Sequence, residues 1–135
     1  MELAKVAKAK RVIPLKVGGP FHSPLISKAG SWLAEEMEKI NFTETSIPVI
    51  SNVDAKPATT PCQIKINLAK QVTSSVLWVD SINNMIEDGI ELFVEFGPQK
   101  VLTGMMRKIN KRAKIFSIDK FEDVESVIKG LQEYE

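Results

Sequence analysis

His22 is the only histidine in this 135-residue chain, and it sits in the segment "GGPFHSPL" at residues 18–25. Two glycines and a proline lead into it, Phe21 precedes it, and Ser23 and Pro24 follow. Imidazole changes charge near neutral pH, so a histidine aimed from a stiff turn can act as a general base in proton transfer. The plainer reading is a loop histidine with no chemistry to perform. The residue types alone favour that reading, because no partner for a base is visible. Ser23 is adjacent, where side chains rarely meet, and it is better placed as a helix cap. No G-x-S-x-G elbow, P-loop or G-x-G-x-x-G occurs anywhere in the chain. Cys62, the single cysteine, lies between a proline and a helical run and reads as a packing residue rather than a thiolate nucleophile. One cysteine allows no internal disulfide, and one histidine beside it allows no zinc cluster, so no metal is expected. By residue type, the chain offers a base without a nucleophile.

A second feature is electrostatic. Six cations (Lys100, Arg107, Lys108, Lys111, Arg112 and Lys114) fall in fifteen residues with no acid among them. A solvated helix face with cations near its C-terminus accounts for them. The sharper reading is a docking surface for an acidic protein or a phosphorylated ligand.

The elements that must position these residues alternate between strand and helix. Residues 2–10 read as a short helix, and "RVIPLKV" (11–17) as a strand with Pro14 marking an edge. Ser23 and Pro24 mark the start of the clearest helix, in which Leu25, Ala29, Trp32, Leu33, Met37 and Ile40 recur as one apolar face. "IPVISNV" (47–53) has the composition of a strand buried on both faces, and the loop "DAKPATTP" leads from it to a helix at 61–73. A helix at 78–88 carries Trp78, Ile82, Met85 and Ile86 and stops at Gly89. "LFVEF" (92–96) reads as a buried strand, "GPQK" turns into a helix at 99–109, and "KIFSI" (114–118) is a third strand. The closing helix shows Asp119 and Glu122 at capping-box spacing, with Phe121, Val124, Ile128 and Leu131 expected inside. Such alternation implies an α/β fold with a parallel sheet, ligands gathering at the strands' carboxyl ends. The loops "GGPFHS", "DAKPATTP" and "FGPQK" are therefore expected to share one rim.

Bulk properties narrow the setting. Eighteen basic and seventeen acidic residues leave almost no net field, which gives no case for a nucleic-acid partner. No apolar run approaches the ~20 residues of a bilayer span, and the charged N-terminus has no secretory core, so no membrane partner is expected. Together with the lone cysteine, this fits a cytoplasmic protein.

Taken together, "AKRVIPLKVGGPFHSPLI", "IPVISNVDAKP", "LAKQVTSSVLWVDSI" and "LFVEFGPQKVLTGMMRKI" resemble the C-terminal portion of the malonyl-CoA:acyl carrier protein transacylases, in order and over nearly the whole chain. The resemblance implies a ping-pong malonyl transfer in fatty acid biosynthesis, from malonyl-CoA as substrate to the acyl carrier protein, through a serine. It implies that His22 is the base, that the main-chain carbonyl of Gln71 orients it, and that the aromatic Phe21 favours malonyl over a branched acyl group. No covalently bound cofactor is implied. By the same resemblance, residues 1–17 end a small ferredoxin-like subdomain, and residues 18–135 form the C-terminal part of a larger, hydrolase-like acyltransferase core. The chain departs from the pattern by lacking the segment that bears the serine. The expectation is thus a fragment that needs the missing N-terminal part of the enzyme. The basic residues from Lys100 to Arg112 become candidates for docking the carrier protein, and interior-type strands left without neighbours suggest self-association. A different class stays open: a non-catalytic module holding CoA phosphates or a carrier protein, with anions at the helix starts near Ser23 and Pro98.

Overall fold

A computed structural model describes residues 1–14 and 17–133. Its elements, in chain order, are α1 (Glu2–Val6), α2 (Ser27–Met37), β1 (Val49–Ile50), β2 (Pro57–Ala58), α3 (Pro61–Gln71), α4 (Trp78–Glu87), β3 (Leu92–Phe96), α5 (Val101–Ile109), β4 (Lys114–Ile118) and α6 (Asp123–Gln132). Short 3-10 turns at Pro24–Ile26 and Pro98–Lys100 lead into α2 and α5.

The parallel sheet is small. β3 pairs with β4 in parallel from Leu92–Lys114 to Phe96–Ile118, with α5 as the crossover between them. Ile82 of α4 and Met106 of α5 are fully buried around this pair, and Val127 of α6 is buried as well. Burying each such side chain contributes about 1.5–3 kcal/mol. The segment expected as a third buried strand behaves differently. Only Val49 and Ile50 are extended, and they pair antiparallel with Pro57 and Ala58 in a separate hairpin. That hairpin folds back at Ala55, whose carbonyl accepts from Asn84 Nδ2 of α4 at 2.9 Å. The loop "DAKPATTP" therefore crosses the hairpin instead of following a parallel strand, and the shared rim of three loops is not formed in that way.

Other expectations shift for identifiable reasons. Arg11–Pro14 make no ladder; Leu15 and Lys16 of the same expected strand lie outside the described residues. A strand needs a neighbour for its backbone groups, and no described residue of this chain supplies one. Of the apolar stripe expected on the helix after His22, Met37 is buried at the end of α2 and Trp32 is exposed, while Leu25 and Ile40, also exposed, lie outside α2. In β3 the buried residue is Glu95, while Phe96 is 77% exposed. Cys62 is exposed, so it is not a packing residue. At α6 the cap has slipped by one position. Asp123 Oδ2 accepts from the N–H groups of both Asp119 and Lys120 at 3.0 Å, and Glu122 makes no capping bond. The inner face rotates accordingly, with Val127 buried and Phe121 and Ile128 exposed.

The chain exposes 10593 Å². A self-contained protein of its 15.0 kDa mass would expose roughly 7,000 Å². The excess is about half as much again, far beyond what scattered surface hydrophobics produce. Large apolar residues left exposed include Leu3 and Val6 of α1, Trp32 of α2, Phe96 of β3 and Ile128 of α6.

α6 lies tightly against β4. A Cβ added at Gly130 would come within 2.6 Å of the Phe116 ring. Gly130→Ala is expected to destabilise the chain by about 1–3 kcal/mol through overpacking, read as a lower melting temperature. Adding Phe116→Leu to the same chain should recover part of the loss. An unchanged melting temperature in the single variant would show that helix and strand are not in this contact.

Candidate active site

The turn before α2 is built to hold His22 in an uncommon backbone state. His22 has φ +56°, in the left-handed region, which histidine visits more readily than most side chains. Ser23 then returns to extended backbone, and its hydroxyl accepts from Leu25 N–H at 3.2 Å. Pro24 occupies the first position of the 3-10 turn, where a missing N–H costs nothing. The loop is thus fixed on its C-terminal side, directly after the histidine. Such strain concentrates where a side chain has to be aimed.

The imidazole reaches across to α3. His22 Nδ1 lies 2.9 Å from the main-chain oxygen of Gln71. Gln71 is the last residue of α3, so its carbonyl belongs to the turn whose oxygens have no partner within the helix. A carbonyl can only accept, so Nδ1 must carry the proton, and in the neutral ring the lone pair is left on Nε2. Nε2 has no hydrogen-bond partner among the described residues. The Gln71 side chain is held in turn, with Oε1 accepting from Asn52 Nδ2 at 3.4 Å, and the Asn52 carbonyl accepting from Leu77 N–H at 2.8 Å.

His22 and Gln71 line an open hollow of about 260 Å³, walled by Phe21, Ile26, Leu33, Leu68 and Val72. The walls are apolar apart from the imidazole and the helix end, and Phe21 is 67% exposed at the mouth. His22, Gln71 and Phe21, which lie up to 50 residues apart in sequence, therefore meet at one place.

The basic stretch is a separate surface. Lys100, Arg107, Lys108, Lys111 and Arg112 are all exposed. Lys100 follows Gln99 in left-handed backbone, and its charge helps hold the Asp123 carboxyl below the ordinary range, after the N–H groups of Lys120 and Asp119. No described contact joins these cations to the His22 hollow.

One functional-looking group escaped the sequence reading. Glu95 of β3 is buried and turned onto the start of α5: Oε1 accepts from Leu102 N–H at 2.9 Å, and Oε2 from Thr103 N–H at 2.9 Å and the Thr103 hydroxyl at 2.6 Å. The Thr103 hydroxyl does most to hold its carboxyl below the ordinary value. Burial opposes that effect, and the N–H groups of Thr103, Leu102 and Val101 reinforce it. The signal was present as a lone carboxylate inside the apolar run "LFVEF". Its consequence is that the N-terminus of α5 is already filled by the chain's own anion.

No protein-family model matches the chain. It is 42% identical over 132 residues to the malonyl CoA-acyl carrier protein transacylase of Bacillus subtilis (strain 168), covering 98% of this chain and 42% of that protein. Its fold superposes with a TM-score of 0.91 on the malonyl CoA-acyl carrier protein transacylase of Clostridium perfringens, at 33% identity and covering 99% of this chain and 42% of the other. A malonyl-transacylase solved in complex with a type II polyketide-synthase acyl-carrier protein superposes at 0.90, with 29% identity over 96% of this chain and 42% of that one. The chain spans about two fifths of the length of the relatives it matches.

Proposed function

Since this chain is homologous to part of the malonyl CoA-acyl carrier protein transacylases, we propose that it carries the histidine half of a malonyl-transfer site. The nucleophilic serine is supplied by polypeptide outside the chain. The observation that carries this reading is the left-handed His22 donating through Nδ1 to the Gln71 carbonyl, which leaves Nε2 as a basic nitrogen at the hollow. In the first half-reaction Nε2 takes the serine proton as the oxygen attacks the malonyl thioester. The imidazolium returns that proton to the departing CoA sulfur. In the second, Nε2 takes the proton of the carrier protein's phosphopantetheine thiol, the sulfur attacks the malonyl ester, and the proton passes to the released serine oxygen. The base and its orienting carbonyl thus serve both directions without net change. Phe21, at the mouth of the hollow, leaves little room for an α-branched acyl group and favours malonyl. The exposed cations from Lys100 to Arg112 suit an acidic carrier protein.

The surface excess fits the same reading. An uncovered area of this size resembles an obligate interface rather than a transient one. Residues 1–17 are assigned to the end of a small ferredoxin-like subdomain, and residues 18–135 to the C-terminal part of a hydrolase-like core, both completed by the missing N-terminal part. The rival reading, a free-standing CoA-binding module, loses one of its two anion sites because Glu95 occupies the start of α5.

The test is reconstitution. Neither this chain nor a separately produced serine-bearing N-terminal polypeptide should transfer malonyl alone, and their mixture should do so. A mixture shown to be folded and associated, yet inactive, would overturn the reading. So would a stable malonyl adduct on this chain by itself.

A further inference from the structure

The hydrogen bond between His22 and Gln71 spans two elements, so its length is set by how closely α2 lies on the end of α3. At that crossing stands Gly30, buried on α2. A Cβ built on it would meet the Ala69 carbonyl oxygen at 3.4 Å and Val72 Cβ at 3.7 Å. Ala69 lies in the last turn of α3 and Val72 directly follows it, one on either side of Gln71. The other end of the linkage is equally short: His22 lies eight residues before Gly30, joined to it by the Ser23-capped 3-10 turn and the first turn of α2. We propose that Gly30 is a positioning residue for the acyl-transfer base, its missing side chain letting α2 approach until the imidazole can reach the Gln71 carbonyl. The proposal rests on the reading of His22 as that base but concerns a different residue, one that touches no substrate.

The geometry grades the substitutions. An alanine at 30 puts one methyl at ordinary contact distance, and the helices accommodate it. A leucine has to displace the Ala69–Val72 turn, and helix backbones in packed interiors move as units. Separation of α2 from α3 by even an ångström takes Nδ1 and the carbonyl oxygen out of bonding range. The ring then returns to the Nε2–H tautomer that free histidine prefers, and Nε2 ceases to be a base.

The experiment uses this chain as it is, because its single histidine gives one pair of imidazole nitrogen signals. In ¹⁵N-labelled chain, at a pH where the ring is neutral, Nδ1 should resonate as a protonated nitrogen and Nε2 as an unprotonated one. Gly30→Ala should preserve that pattern. Gly30→Leu should lower the Nδ1–H to Nε2–H ratio by at least about fivefold, the worth of one ordinary hydrogen bond, so that Nε2–H becomes the major form. Amide signals of β3 and β4 serve as the folding control and should stay in place. Retention of the Nδ1–H tautomer in a folded Gly30→Leu chain would overturn the positioning role and leave His22 as the base untouched. If leucine unfolds the chain, Gly30→Val takes its place with the same expectation. An Nε2–H tautomer already present in the parent chain would sink both.

Discussion

Replacing His22 by asparagine in the reconstituted enzyme is expected to lower kcat for malonyl transfer by about 10²- to 10⁴-fold, with the KM for malonyl-CoA little changed. Asparagine is the informative choice. It tolerates the left-handed backbone at this position at least as well as histidine, so the loss reports the base and not relaxation of the turn. It can also donate to the Gln71 carbonyl, yet it cannot take a proton. His22→Ala should lose at least as much, since alanine gives up both the donor to the Gln71 carbonyl and the ease of the left-handed backbone. A folded, associated His22→Asn enzyme turning over at the parental rate would remove His22 from the mechanism, whatever the geometry of the turn.

The largest effect on stability is expected at Glu95. Its carboxylate satisfies the first free N–H groups of α5 and the Thr103 hydroxyl at once, and it lies in the strand that pairs with β4. Glu95→Ala leaves those donors buried and unpaired, and it should lower the melting temperature more than Gly130→Ala does. The pH dependence follows from the direction of the shift. The Glu95 carboxyl is held below its ordinary value of 4.5 in the folded chain, chiefly by the Thr103 hydroxyl. A depressed acid stabilises the fold fully above its unfolded value, and the gain disappears as pH falls from there through the folded value. Stability should therefore hold from neutrality down to about pH 4.5 and decline below it. Asp123 acts with the same sign, because the N–H groups of Lys120 and Asp119 also hold its carboxyl down. Glu95→Gln should reduce the acid loss without abolishing it, since Asp123 remains. Thermal melts between neutral and acid pH measure both slopes, and identical curves for parent and Glu95→Gln would show that Glu95 is not the titrating group.

Most helices were readable because their signals are local. Ser23 and Pro24 before α2, and Gly89 after α4, act within one turn of the residues they control. The strands were less legible. "IPVISNV" has the composition of a buried strand, but strand identity is decided by a neighbour, and here the neighbour is the chain's own return at Pro57–Ala58. The apolar face of the helix after His22 is legible in the sequence, but composition does not say which polypeptide covers it, and in this chain Trp32 stands exposed on it. Glu95 illustrates the same limit in reverse. Its burial is tolerable only because α5 starts above it, a fact absent from the five residues around it.

For the candidate site, the residue order by itself determined which groups were present: one imidazole beside an aromatic on a glycine- and proline-stiffened turn, and no nucleophile of the expected type. Resemblance pointed to the Gln71 carbonyl; residue spacing could not. Only the tertiary structure decided that the end of α3 comes within 2.9 Å of His22, and that Gly30 is the contact at the crossing. The physical reason is that a side chain's type is a local property, whereas which nitrogen of a histidine carries the proton depends on an acceptor 49 residues away, brought there by the packing of two helices.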